Sequence, residues 1–366
     1  MLEREELAGW LRLIETPQIG LEHGRRLLAA FGSPEAVFAA PTAAHRSLLG
    51  PALAEALSRP PDALDTLLDA TWRWLQAADG APRHVIVLGD PAYPQLLLQT
   101  ADPPLLLYAI GRAELLNAPC IAVVGSRNPT PQGAENARAF ARSLGDAGLT
   151  VVSGLAMGID AAAHEGALDA PGSTIAVVGT GLDVVYPKRN LALARRIASQ
   201  GLVLSEYALG MPSMPGNFPR RNRIIAGLSR GTLVVEAALE SGSLITARLA
   251  VEAGRDVFAI PGSIHSPQSR GCHALIKQGA KLVDGAIDIL EELHIRTASP
   301  SPVPTGQDRG GDLLLDALGH EPVTLDALAA RLGEAPAELS ARLLELELAG
   351  EVVRLPGQLF QRLVRS

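Results

Sequence analysis

Seven short apolar runs punctuate the middle of the chain: HVIVLG from His84, CIAVVG from Cys120, LTVVSG from Leu149, TIAVVG from Thr174, GLVLSE from Gly201, TLVVEA from Thr232 and DVFAIP from Asp256. Most are rich in Val and Ile, several end in Gly, and the stretches between them read as helical. Continuous apolar strands separated by helices need cover on both faces, which is the pattern of a parallel sheet. The expected fold is therefore α/β, a Rossmann-like doubly wound parallel sheet over residues 84–295.

The flanks differ from this middle. Residues 1–80 have no strand pattern and read as a small all-α domain. Within it, QIGLEHGRRLLAAFGS runs helix, tight Gly turn, helix, the order of a helix-hairpin-helix or SAM-like module whose turn amides can meet a DNA phosphate. LLGPALAEAL is a fainter echo. A small helical packing module with no ligand fits the same residues. Residues 296–311, RTASPSPVPTGQDRGG, are rich in Pro, Ser and Gly and read as a linker. Residues 312–366 show three helical stretches and then two short strands around a Pro-Gly pair, the order of a winged helix.

Composition narrows the class. A chain of 366 residues, 47% hydrophobic and 19% charged, is long enough for two or three domains with buried cores. No apolar run reaches the 18 or so residues of a membrane span, and the charged start MLEREELAGW lacks the apolar segment of a secretion signal, so a cytoplasmic location is expected. The two cysteines, Cys120 and Cys272, are too few for a disulfide scaffold or a four-ligand zinc site, and both read as structural.

Charge is unevenly spread. The chain carries −7, yet residues 184–230 hold eight cations against the single carboxylate of Glu206, a local +7. Residues 312–366 carry five Arg against nine acidic residues, a balance that repels phosphate.

In a doubly wound sheet, ligands sit beyond the carboxyl ends of the strands. The loops expected there are Gly-rich: VVGSRNPTPQG offers Gly125, Ser126 and Arg127, SGLAMGID follows the next strand, and GTGLDVVYPKRN delivers Lys188 and Arg189. PGNFPRRNR adds Phe218, expected at a helix N-cap because Pro219 suits the first helical position. On that helix, Ile224, Ile225 and Leu228 form the buried stripe, leaving Arg220 and Arg223 on an exposed face. Arg127 has a structural alternative in pairing with Asp160, and Lys188 in simple solvation.

Gly125 to Gly133 does not fit the G-x-G-x-x-G spacing of a dinucleotide site, so no cofactor is expected. No spacing among Asp160, Asp183, Glu206, Glu236, Glu240, His164 and His265 matches a metal site or a catalytic triad. His164, four residues after Asp160, reads as its helical hydrogen-bond partner.

The ordered set VVGSR, SGLAMGIDAAAH, GTGLDVVYP, FPRRNRIIAGLS, VVEAALESGSLITA and VFAIPG resembles the DNA-processing protein A (DprA/Smf) family. The resemblance implies a cytoplasmic homodimer, not an enzyme, that binds and protects incoming single-stranded DNA during natural transformation (competence) and loads the RecA recombinase, with single-strand-binding protein as a further partner. It assigns Gly125, Ser126 and Arg127 to phosphate, Phe218 to base stacking, and Arg220, Arg221, Asn222 and Arg223 to the groove, with Lys277 in HALIKQGA as a weaker transfer. A positive groove with an exposed aromatic face suits a sequence-tolerant single-strand binder. The loop before Phe218, MPSMPG, lacks any cation. A second resemblance sets SRGTLVVEA beside the PGGxGTxxE signature of LOG-type nucleoside monophosphate phosphoribohydrolases, which would employ Glu236; here LSR stands where that signature has PGG.

Overall fold

The computed structural model of the chain describes residues 2–78, 80–295, 313–319 and 322–363. Helices α1 (Arg4–Glu15), α2 (Leu21–Phe31), α3 (Pro34–Ala39), α4 (Thr42–Leu49), α5 (Pro51–Ser58) and α6 (Leu64–Gln76) come first. Short amphipathic helices must bury their apolar stripes against something. Here Leu7, Trp10, Leu11, Leu27 and Leu57 pack with Val85, Val87, Leu106 and Tyr108. Those partners lie on a hairpin of β1 (Arg83–Val87) and β2 (Leu106–Gly111), with α7 (Gln95–Leu98) between the two strands. The helical region therefore shares one core with the hairpin.

The α/β pattern then unfolds in strict alternation: β3 (Cys120–Val124), α8 (Pro131–Asp146), β4 (Thr150–Ser153), α9 (Ile159–Leu168), β5 (Thr174–Val177), α10 (Leu191–Gln200), β6 (Leu202–Ser205), α11 (Asn217–Leu228), β7 (Gly231–Val234), α12 (Ser243–Glu252), β8 (Asp256–Ala259), α13 (Arg270–Lys277), β9 (Lys281–Leu282) and α14 (Ala286–Glu292). All residues of β3 through β7 are buried, as expected of Val- and Ile-rich strands covered on both faces. Alternate residues feed two cores: Ala122, Val152, Val177 and Val234 on one side, Ile121, Val123, Val151 and Leu233 on the other. Each fully buried Val or Ile contributes about 1.5–3 kcal/mol.

The sheet order is β1-β2-β6-β5-β4-β3-β7-β8-β9. Every pair from β6 across to β9 is parallel. The chain winds from β3 out to β6 and then resumes on the other side of β3 at β7, so the topological switch point lies between the ends of β3 and β7. The sheet is the expected doubly wound one, with one correction. The run from His84 is not a parallel strand but the outer arm of an antiparallel hairpin, with β1 on β2 and β2 antiparallel to β6. Neither β2 nor the two-residue β9 was anticipated. A short apolar run such as LLYAIG does not by its periodicity distinguish strand from buried helix.

The C-terminal part is a winged helix: α15 (Leu313–Leu318), β10 (Val323–Thr324), α16 (Leu325–Leu332), α17 (Pro336–Leu348), β11 (Val352–Leu355) and β12 (Leu359–Arg362), with the strands in the order β10-β12-β11. Leu314, Leu328, Leu339, Leu343, Val352 and Phe360 make its own core. The expected linker at 296–311 lies outside the described residues. Among those described, no helix is long and apolar enough to cross a membrane.

Candidate nucleic-acid interface

The loops after β3 and β7 are tied together where the strand order reverses. The Ser126 amide donates to the Glu236 carbonyl at 2.7 Å, and the Ile159 amide donates to the Ser126 carbonyl at 3.1 Å, which anchors the start of α9 to the same loop. Above these loops opens a cleft of about 690 Å³, and Gly125, Ser126, Arg127, Phe218, Arg221 and Asn222 all line it. Six of the ten residues expected at a ligand groove thus converge on one crevice at the switch point.

Their roles differ. Arg127 is exposed and has no hydrogen-bond or ion-pair partner among the described residues, so the alternative pairing with Asp160 is not made. Arg221 is only 5% exposed and forms the floor. Its Nη1 donates to the carbonyls of Gly154 (2.6 Å) and Val177, and its Nε donates to Asn222 Oδ1 (3.2 Å). Burial pulls the Arg221 guanidinium down to about 10, opposed by the negative charge of Asp160. Asp160 is itself buried, which raises its carboxyl, with Arg221 and the amides of Gly154 and Ala156 opposing.

Phe218 stands at the second residue of α11, not at its N-cap, because the helix begins at Asn217, two residues before Pro219. Asn217 Nδ2 donates to the Gly179 carbonyl (3.0 Å) and the Tyr207 hydroxyl donates to the Asn217 carbonyl (3.3 Å), which fixes the helix start over the GTG loop. A Cβ on Gly179 would sit 3.1 Å from the Phe218 ring, so the glycine lets the ring lie down there. A residue not selected from sequence joins it: Tyr186, 47% exposed, lines the cleft with its ring 5.4 Å from that of Phe218 at a 37° tilt. Its signal was present, an aromatic outside any helical stripe and directly before Pro-Lys-Arg.

The other expected residues are elsewhere. Arg223 is not on an exposed face. Its side chain is 14% exposed, held by the Glu206 carboxylate and the Asp102 carbonyl (2.8 Å). Arg220 is exposed but leans to the same carboxylate at 3.7 Å. Burial raises Glu206, with Arg223 the chief opposing influence. Lys188 is exposed two residues beyond Tyr186, at the rim, and Lys277 is exposed at the end of α13; neither lines the cleft.

The acids and the histidine do not assemble into a catalytic group. His164 does not bond Asp160. It is fully buried, its Nδ1 bonds the Thr174 hydroxyl (2.7 Å) and its Nε2 accepts from the Leu155 amide (3.3 Å), while burial lowers it to about 3. Glu236 turns away from the cleft to the start of α8, where Thr130 donates to it from its amide (2.9 Å) and hydroxyl (2.5 Å). A Cβ on Gly133 would lie 2.3 Å from that carboxylate, so only a glycine admits it. The protein's own acid therefore occupies the helix N-terminus that would otherwise attract a ligand phosphate. Gly231 and Thr232, the GT of the phosphoribohydrolase signature, begin β7 and so lie at the opposite end of the strand from the cleft. No cluster of three metal-ligating side chains exists among the described residues.

A family model described as DNA recombination-mediator protein A matches residues 84–294, and one described as the DprA winged helix domain matches residues 297–358. This chain belongs to the DNA recombination-mediator protein A family. Protein Smf of Escherichia coli (strain K12) is 43% identical over 300 residues, 79% of each chain. The DNA processing protein DprA of Streptococcus pneumoniae is 53% identical over 205 residues, 56% of this chain and 72% of that one. The X-ray structure of DprA from Streptococcus pneumoniae matches with a TM-score of 0.68 and 39% identity, covering 80% of this chain and 98% of that one. DprA from Helicobacter pylori, whose structure concerns its single-stranded DNA binding mode, matches with a TM-score of 0.53 and 32% identity over 58% of this chain and 95% of that one. The switch-point cleft falls inside the segment that defines the family.

Proposed function

We propose that this protein binds single-stranded DNA in the switch-point cleft, protects it, and hands it to a RecA-type recombinase during natural transformation, acting in the cytoplasm as a homodimer and without catalytic chemistry. The observation that carries the reading is the pair of partly exposed rings, Phe218 and Tyr186, beside an unpaired Arg127. Stacking needs a base face that is free, which single strands have and duplexes do not, and a guanidinium without a protein partner is available to a phosphate. The two rings already touch, so a base stacks on the outside of the pair. Family membership and the Helicobacter pylori relative support the ligand class. Gly125, Ser126 and Asn222 complete the wall, Arg221 holds its floor, and Lys188 with Arg189 extends the positive rim past Tyr186.

The test is fluorescence anisotropy with a labelled 20-nucleotide strand and the corresponding duplex at one salt concentration. The single strand is expected to bind at least tenfold more tightly. Equal affinity for both, or none for either, overturns the proposal.

A further inference from the structure

The cleft has a second wall, which the assigned residues meet only where Asn222 Nδ2 donates to the Gly242 carbonyl at 3.5 Å. After β7 the chain passes through Ser241-Gly242-Ser243 into α12, ten residues long, whose N-cap Gly242 has no side chain, so the one side-chain acceptor at its start is Ser241 Oγ, facing the Ser243 amide at 3.4 Å. This is the mirror position to the start of α8 across the switch point. There the Glu236 carboxylate takes the helix N-terminus; at α12 no acid does so among the described residues.

A second feature points the same way. Thr246, one turn into α12 on the side of Ser243, is only 1% exposed, yet its hydroxyl has no hydrogen-bond partner among the described residues. It lines the cleft together with Ser241, Gly242 and Ser243. A buried hydroxyl is ordinarily satisfied, so one left open toward a cleft marks a place for a ligand acceptor or donor. The Ser241 and Ser243 hydroxyls bond each other at 2.7 Å, and the Ser243 amide reaches Ser241 Oγ only at 3.4 Å, leaving one hydroxyl donor of the pair that can turn outward.

We infer that the first turn of α12, with Ser241, Ser243 and Thr246, is a second phosphate subsite of the cleft. The phosphate belongs to the strand whose base stacks on Phe218 and Tyr186. The Leu244 and Ile245 amides are taken by the Ser241 and Gly242 carbonyls at 3.1 Å, so the hydroxyls, backed by the helix dipole, meet the phosphate, and this subsite adds affinity without releasing counterions from the protein side. Glu240, exposed at the rim of the same cleft, opposes it by charge. The inference rests on the single-strand reading above.

The full chain is titrated by anisotropy with a labelled (dT)20 and with a labelled (dT)6 bearing either a 5′-phosphate or a 5′-hydroxyl. Thr246→Val keeps the shape and removes the hydroxyl. It should weaken (dT)20 about tenfold, the worth of a hydrogen bond to a charged group, with the parent's melting temperature. Glu240→Gln should do the reverse and tighten binding severalfold, a gain that damage to the fold does not produce. Unchanged affinity in both variants overturns the subsite, and Phe218→Ala in the same series shows whether the single-strand reading survives it. If Thr246→Val weakens both hexanucleotides equally, the phosphate is internal to the strand; if only the 5′-phosphorylated one, it is the strand end. Either outcome supports the subsite and assigns its occupant.

Discussion

Helix α11 presents arginines in two directions, and the difference explains a charge anomaly. On the cleft side, Arg221 lines the same crevice as Phe218 and Arg127; on the other, Arg220 and Arg223 converge on Glu206. The local excess of positive charge in residues 184–230 suggests a uniform phosphate track, but much of it is spent inside the protein. Arg221 is absorbed by two carbonyls and Asp160, Arg223 by Glu206 and the Asp102 backbone, and Arg196 lies 3.6 Å from Asp169. Of that segment, Lys188 and Arg189 stand at the rim of the cleft, where Arg127, from the loop after β3 and outside the segment, joins them. A cluster of charge in sequence is thus a sum of structural and ligand-facing groups, and only burial and partners separate them.

The largest effect should come from the buried side of that comparison. Arg221→Met leaves Asp160 as an uncompensated buried charge and unties the floor from β4 and β5, so urea unfolding should show a loss of about 3–5 kcal/mol. Adding Asp160→Asn should restore part of it. An Arg221→Met protein as stable as the parent would place the residue among the ligand contacts instead.

Next comes Arg223→Ala, whose cost should depend on pH. Burial already raises the Glu206 carboxyl, and Arg223 is what chiefly holds it down, so the variant's folded state binds that proton more tightly still. A carboxyl raised on folding penalises the fold when ionised, and the penalty vanishes as pH drops through the folded value toward the unfolded one, about 4.3. The stability deficit of Arg223→Ala should therefore be greatest near pH 8 and shrink toward about pH 5. A deficit constant across that range would mean that Glu206 is not the partner that matters.

These two arginines also mark the limit of what the sequence displays. The helical stripe Ile224, Ile225 and Leu228 is legible and correctly buried, and the Val- and Ile-rich strands place the loops that build the cleft. The partner of Arg223 is not legible, because Asp102 lies 121 residues away and Glu206 arrives from the end of another strand. The Glu236 plug is hidden for the same reason: Thr130 meets it across 106 residues. Periodicity reports which face of an element is apolar; it does not report which element supplies the polar partner. Tyr186 was legible by the reasoning that picked out Phe218, yet a Tyr-Pro step in a Gly-rich loop reads first as a turn.

On the cleft side, binding should suffer without any loss of stability. Phe218→Ala and Tyr186→Ala should each cost about 1–3 kcal/mol of single-strand affinity, or roughly 5- to 150-fold, because a stacked base is lost. Phe218→Tyr should bind nearly as the parent does. Since the rings also touch each other, the double variant should lose less than the sum of the two. Full additivity would mean that the rings serve separate bases.

The smallest effect is the sharpest test of the comparison, because it sets one arginine against another. Arg127→Ala removes a cation with no protein partner, so affinity should fall severalfold at moderate salt and the dependence of log K on log salt should flatten by roughly 0.7, the value for one phosphate on a single strand. Arg223→Ala, measured in the same buffer at a pH where the variant stays folded, should leave that slope unchanged, because its charge is already neutralised by Glu206 and releases no counterion when DNA binds. Salt titrations of both variants beside the parent give three slopes. If the Arg223→Ala line flattens as much as the Arg127→Ala line, Arg223 leaves Glu206 for phosphate when DNA arrives, and the two sides of α11 form one continuous interface.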